Sequence, residues 1–167
     1  GVAGKAGVGR SSMTLNLASA LARAGKDVLV LDENVGPHNL LDRLMFGAHY
    51  DLLDVVQGKC TLPQAVLRAQ GFALLPTAYA MRTLGEMPLV EQQSMARALS
   101  EASNGVDVLL VDAALLSGQT VMSSSLAAGV TLLVVVDGTA GGIKESYALI
   151  KRLALENAKL QFEIVVN

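Results

Sequence analysis

A single cysteine, Cys60, serves all 167 residues, which excludes a disulfide framework and any multi-thiolate metal or iron–sulfur site within one subunit. Charge is scarce as well. Charged residues make up 17% of the chain, the net charge is −2, and no basic run occurs, so no direct nucleic-acid partner is expected. Long apolar stretches are missing too: the longest, near Leu126 to Val136, is interrupted by Gly129 and Thr131 and is too short to span a bilayer. With no leader pattern at its start, the sequence reads as cytosolic. His38 and His49 have no second ligand at a useful spacing and read as loop or surface residues.

Apolar residues reach 51%, a composition suited to a sheet covered on both faces. The most informative segment is Gly4-Lys5-Ala6-Gly7-Val8-Gly9-Arg10-Ser11-Ser12. A phosphate-binding loop reads G-x-x-x-x-G-K-[ST]; Gly4 and Gly9 have that spacing, Ser11 fills the hydroxyl position, and Arg10 stands where the lysine belongs. Glycines accept positive φ and carry no Cβ, so the N–H groups from Ala6 to Ser11 can curl around phosphate oxygens. Ser11 would open a helix, adding its N-terminal partial charge and a hydroxyl suited to Mg²⁺. Arg10 keeps the charge but replaces a compact ammonium with a planar fork.

Around the loop, periodicity predicts a helix over Ser11 to Ala24 with Met13, Leu17, Ala20, Leu21 and Ala24 on its apolar face, stopped by Gly25. A buried strand, Asp27 to Leu31, ends in Asp32. Glu33 to His38 reads as a loop with a Gly36-Pro37 turn. Short helices are predicted over Asn39 to Phe46, Leu52 to Gln57, and Leu62 to Arg68, the last capped by Thr61 with Pro63 in its first turn. Phe72 to Pro76 is a strand, Val90 to Ser103 a helix, and Val106 to Val111 a strand ending in Asp112. Val130 to Val136 is a strand, Lys144 to Glu156 a helix with Tyr147, Ile150, Leu153 and Ala154 on one face, and Gln161 to Val166 a closing strand. Met81, Met87 and Met95 read as packing residues. This alternation means an α/β fold: a mostly parallel P-loop sheet with helices on both faces. The expected organisation is one nucleotide-binding domain over 1–167, trimmed at both ends, because the chain starts and stops within strands.

Two apolar strands end in aspartate beside a P-loop, the place where such folds support Mg²⁺. A strand-end aspartate can equally form a turn or cap a helix. Taken together, these motifs resemble the deviant Walker A ATPases of the MinD/ParA family, whose loop reads K-G-G-x-G-K-[ST]. Asp32-Glu33-Asn34-Val35-Gly36-Pro37-His38-Asn39 is similar to that family's switch I, and Val108 to Asp112 to its Walker B strand. Within the family, Ser146 to Lys151 and Leu52 to Gly58 look most like the flagellar-number regulators of the FlhG/FleN type.

The resemblance implies ATP or ADP with Mg²⁺ as cofactors, held by Gly4, Ala6, Gly7, Val8, Gly9, Arg10, Ser11 and Ser12, with Asn167 at the adenine. It implies a metal supported by Ser11, Asp32 and Asp112, and a catalytic set of Lys5, Asp32 and Asn34, with Lys5 reaching the partner's phosphates across an ATP-dependent homodimer. It further implies a protein partner in the flagellar or envelope machinery, and peripheral contact with the inner membrane through segments outside this chain.

Three departures bear on catalysis. Arg10 replaces the loop lysine, Ala6 a loop glycine, and Asn34 the second switch I aspartate, which leaves a water-orienting carbonyl without charge. The expected behaviour is a nucleotide-dependent dimerising switch with weak or absent hydrolysis. A pseudo-ATPase scaffold and an accessory of another envelope machine, such as cellulose export, are the alternatives. A small-molecule kinase or ligase is a third class, for which the Phe46 to Leu89 region offers only Lys59, Arg68 and Arg82 as lid cations.

Overall fold

The computed structural model describes residues 1–5, 7–35, 39–47, 49–114, 131–156 and 158–167. Ala6, the Gly36-Pro37 turn, His38 and the 126–130 part of the apolar run lie outside the described residues. The strands are β1 (Val2–Gly4), β2 (Val28–Asp32), β3 (Leu67–Ala69), β4 (Phe72–Pro76), β5 (Val108–Asp112), β6 (Thr131–Val136) and β7 (Gln161–Val166). The α-helices are α1 (Arg10–Arg23), α2 (Leu40–Arg43), α3 (Leu52–Val56), α4 (Leu62–Ala65), α5 (Ala78–Thr83), α6 (Leu89–Ala102) and α7 (Ala140–Glu156). The fold is α/β with a mostly parallel seven-stranded sheet, as the alternation of elements implied.

The chain forms two compact units, one of Gly1–Thr14 and Asp112–Asn167 and the other of Leu15–Val111. In the first, β1 pairs in parallel with β6, and β6 with β7. Residues alternate across a strand, and the burial follows that period. Ala3, Leu132, Val134 and Val136 pack with Leu153, Leu149 and Ile150 of α7, while Val2 and Val135 face the other way onto Val8 and Met13. Both faces of β1 and β6 are therefore covered, which is why these two strands read as continuous apolar runs, whereas Ile164 and Val166 of β7 are exposed.

In the second unit, β2 pairs in parallel with β4, and β3 runs antiparallel to β4. Val28, Val30, Phe72 and Leu74 pack with Ala18 of α1 and with Leu40 and Leu41 of α2. The alternate residues Leu29, Leu31 and Leu75 are just as buried, so this part of the sheet is also covered on both sides.

Several elements differ from the reading of the sequence. The helix predicted over Leu62 to Arg68 stops at Ala65. Its start is as expected, with Thr61 as N-cap and a proline in the first turn, and the Thr61 N–H donates to Gln64 Oε1 at 2.9 Å. Val66 then turns extended (ψ 121°), and Leu67–Ala69 joins β4 through a two-residue turn with both φ angles positive, Gln70 at 50° and Gly71 at 86°. That is the primed turn whose twist suits a hairpin. Helix α5 was not foreseen, and α7 starts at Ala140 rather than Lys144. Gly141 and Gly142 disguised its first turn; a Cβ at Gly142 would meet the Asp137 carboxylate, which would have to swing aside. The earlier start moves the buried face to Gly142, Ser146, Leu149 and Leu153, and Tyr147 is exposed. In α1 the buried stripe runs through Thr14 and Ala18, leaving Ala20 and Ala24 in solvent; Gly25 ends the helix with positive φ, as expected.

Candidate functional site

The phosphate-loop segment lies between β1 and α1 in the first unit. Gly7 (φ 83°) and Gly9 (φ 93°) both occupy the left-handed region that only glycine enters without strain. The space beside Gly7 is open, with no atom within 4 Å of a notional Cβ. Gly9 has no such room: a Cβ there would meet Asn167 Nδ2 at 2.6 Å, and at Gly4 it would meet the Val135 carbonyl at 2.6 Å. These glycines thus let the chain curl tightly while passing close to β6 and β7. Helix α1 begins directly at Arg10, so its N-terminal partial positive charge belongs to the loop.

Arg10, Ser11 and Asp112 are brought together although 102 and 101 residues separate them along the chain. Arg10 Nε donates to Asp112 Oδ1 at 3.0 Å, and Ser11 Oγ donates to Asp112 Oδ2 at 2.7 Å. The guanidinium also reaches back to the Gly4 carbonyl, with Nη1 at 3.3 Å. Asp112 is fully buried and the Arg10 side chain is 15% exposed, so this is an interior ion pair. Burial pushes the Asp112 carboxyl above the ordinary carboxylate value, and the bonds from Ser11 and Arg10 pull it back.

Lys5 has a partner the sequence did not reveal. Its Nζ lies 3.0 Å from Glu145 Oε2 on α7, an exposed pair that raises the lysine pKa mainly through the hydrogen bond to Glu145. Asn167 donates from Nδ2 to the Val8 carbonyl at 3.0 Å, so the last residue described touches the loop itself. Thr14 was also overlooked: it is fully buried, and its hydroxyl donates to the Arg10 carbonyl at 3.1 Å, with Asp112 Oδ1 at 3.5 Å. Helical spacing from Arg10 to Thr14 was the available signal. For Lys5 and Glu145, 140 residues apart, there was none.

Asp32 and Asn34 belong to the second unit and form their own network. Asp32 Oδ1 accepts from the Asn34 backbone N–H at 3.0 Å and from Asn34 Nδ2 at 3.3 Å, while Oδ2 accepts from the Leu40 N–H at the start of α2 at 3.1 Å. The turn-forming role of a strand-end aspartate is therefore present at Asp32. His49 Nδ1 donates to the Gly47 carbonyl at 2.9 Å, and among the described residues no cluster of three His, Cys, Asp or Glu is placed to hold a metal. No helix of the described residues is long and apolar enough to cross a membrane.

A loop with two left-handed glycines, open space beside Gly7 and a helix start behind it fits phosphate oxygens. Ser11 and Asp112 have the oxygen chemistry Mg²⁺ prefers. Arg10 bonds Asp112 Oδ1 and Ser11 bonds Oδ2, so Ser11 and Oδ2 are the oxygens that would hold or support the ion, with the Arg10 guanidinium beside them.

Residues 2–165 match the model of the CobQ/CobB/MinD/ParA nucleotide binding domain. The chain belongs to that family. Among curated members, the antiactivator FleN of Pseudomonas aeruginosa is 34% identical over 98% of this chain, which spans 59% of FleN's length. Among solved members, the MinC:MinD cell division protein complex of Aquifex aeolicus superposes with a TM-score of 0.75 at 26% identity, covering 99% of this chain and 66% of that one. Cobyrinic acid a,c-diamide synthase of Mycobacterium smegmatis, with bound ADP and magnesium, shares the fold at 21% identity and a TM-score of 0.74, covering 99% of this chain and 72% of that one.

Proposed function

We propose that this chain is the ATP-binding part of a nucleotide-dependent dimerising switch that regulates flagellar number or placement, with slow or absent hydrolysis. The observation that carries the reading is the loop: left-handed Gly7 and Gly9 leading into α1, with Ser11 and Asp112 joined behind it. The similarity to FleN supports the regulatory role, and the family match over residues 2–165 supports one domain spanning the chain.

In this reading the amides from Gly7 to Ser12 and the start of α1 hold the phosphates, with Gly4 closing the loop's base. Asn167, already against Val8, reaches the adenine. Lys5 leaves Glu145 and reaches the partner subunit's phosphates, so the exposed Lys5–Glu145 pair holds it in reserve. Exposed pairs of this kind are weak and easily exchanged. Asp32 and Asn34 orient the attacking water, and Ser11, Asp32 and Asp112 support the metal, as in the family at large. Turnover is slow because Asn34 cannot supply a charge and Arg10's guanidinium is engaged at Asp112 and Gly4 rather than at a developing phosphoryl charge. The same engagement favours, as second reading, a scaffold that binds nucleotide without hydrolysing it. The partner is a protein of the flagellar or envelope machinery at the cytoplasmic side of the inner membrane, not a nucleic acid.

ATP is expected to raise the apparent mass in solution from monomer to dimer, and Lys5→Ala to abolish the shift while leaving ATP bound. Light scattering coupled to gel filtration reads this. An unchanged mass with ATP bound to the parent chain contradicts the switch.

A further inference from the structure

We infer that Thr77, at the start of α5, is a positioning residue for Asp32 and Asn34: it pins the end of β2, from which the Asp32 carboxylate extends. The inference takes its functional meaning from the nucleotide-binding reading above, and its geometry from the second unit alone.

An exchange of roles between two residues carries it. A threonine at a helix N-cap ordinarily turns its oxygen to an N–H of the first turn. Thr77 stands at the N-cap of α5, yet its side chain makes no such bond. The first-turn donors of Tyr79 and Ala80 are served instead by the Asp51 carboxylate, at 3.1 and 3.0 Å. Relieved of capping, Thr77 Oγ1 donates to the Asp32 carbonyl at 3.2 Å, and the Thr77 N–H donates to the same oxygen at 2.9 Å. Pro76, which pairs with Asp32 across the β2–β4 ladder, has no N–H to give, and Thr77 supplies two donors just beyond it. Thr77 is fully buried, so water does not compete for either bond.

Pinning that carbonyl matters because the Asp32 side chain is short, and its carboxylate follows wherever its peptide goes. Oδ1 holds the Asn34 backbone N–H and Nδ2, and Oδ2 holds the Leu40 N–H. Bonds thus run from Asp51 through α5 and Thr77 to Asp32, and from there to Asn34 and the start of α2, all within the second unit. Asp51 fixes the helix, Thr77 fixes the strand end, and the carboxylate beyond it places the Asn34 amide. Thr77 acts only through Asp32 and touches no nucleotide in this reading. Loss of its hydroxyl leaves the α5 cap intact, since Asp51 provides that cap, and loosens the Asp32 end of the line instead.

The test is residue-resolved amide hydrogen exchange, by NMR, on the parent chain, Thr77→Val and Thr77→Ser. Thr77→Val is expected to speed exchange at Asn34 and Leu40 by roughly fivefold, the effect of one lost hydrogen bond, while Tyr79 and Ala80 stay within about twofold of the parent. Thr77→Ser, which keeps the hydroxyl, is expected to restore Asn34 and Leu40. Faster exchange confined to Tyr79 and Ala80 identifies an ordinary helix cap and overturns the inference, as does unchanged exchange at Asn34 and Leu40. A readout on the parent needs no variant: the Thr77 hydroxyl proton is expected as a slowly exchanging resonance, and exchange as fast as that of an exposed threonine contradicts the bond. Adding ATP with Mg²⁺ separates this inference from the reading beneath it. In the parent, ATP is expected to shift the Asn34 side-chain amide along with Gly7 and Gly9, and Thr77→Val to diminish the Asn34 shift alone. Loop shifts without one at Asn34, or an equal Asn34 shift in Thr77→Val, overturn the inference and leave nucleotide binding intact. Absence of any shift at Gly7 and Gly9 in the parent overturns the nucleotide-binding reading itself.

Discussion

Arg10→Met destabilises the fold by roughly 3–5 kcal/mol, the usual cost of removing one partner from a buried ion pair. The reason is Asp112. It is fully buried, and without the guanidinium its charge must be neutralised by protonation or left in the interior beside the hydroxyls of Ser11 and the more distant Thr14. Thermal or urea denaturation measures the loss. The companion experiment is the double variant Arg10→Met with Asp112→Leu. Replacing both members of an interior pair by apolar residues is often neutral, so the double variant is expected to recover most of the stability. Large positive coupling in the resulting cycle would locate the effect in the pair itself rather than in a changed helix start. If the single variant loses less than about 1 kcal/mol, the pair is not the interior contact described here.

Asp51→Ala has an effect of similar size, roughly 3 kcal/mol, in the second unit, because one carboxylate caps two helices. Asp51 is 5% exposed, and its oxygens accept from the N–H groups of Leu53 at 2.9 Å, Ala80 at 3.0 Å and Tyr79 at 3.1 Å. It therefore serves the first turn of α3 and that of α5 together, and it forms a reciprocal box with Asp54 on α3. Truncation strands three backbone donors at once, whereas Asp51→Asn keeps one acceptor and should cost less. The pH dependence has a definite sign. Burial raises the Asp51 carboxyl above its ordinary 3.8, with the three N–H bonds and the neighbouring Asp54 as smaller influences. A raised folded pKa means that folding takes up a proton there. Its contribution is fully present below the unfolded pKa and is lost as pH rises through the folded one. The stability gap between the parent and Asp51→Asn should therefore widen on acidification from neutral pH towards 3.8, measured by urea midpoints at each pH.

Local signals in the sequence carried the fold a long way. The glycine spacing of 4, 7 and 9, the apolar strands ending at Asp32 and Asp112, the Thr61 N-cap and the Gly25 stop all reappear in the structure, since each depends on residues a few positions apart. What escaped reading depended on contacts or on weak punctuation. Strand β3 is only three residues long and follows a well-capped helix, so periodicity carried the helix too far, although Gln70-Gly71 before Phe72 was a hairpin signal. The start of α7 hid behind Gly141-Gly142, because two adjacent glycines are poor helix formers.

At the site, residue types were legible and their pairings were not. Arg10 was visible as a substitution, but nothing local could show that it turns onto Asp112, and Lys5 gave no hint of Glu145. Those pairings alter the chemistry: they move the interest of Arg10 from the phosphates to the carboxylate behind them.

The central claim is that the loop binds a nucleoside triphosphate, and direct calorimetry of ATP into the parent chain and Gly9→Ala tests it. The parent is expected to bind one ATP per chain, and Gly9→Ala to lose binding about tenfold or more, because the new methyl meets Asn167 and the left-handed backbone resists it. Absence of any heat of binding from the folded parent, or equal affinity in the variant, would contradict the account.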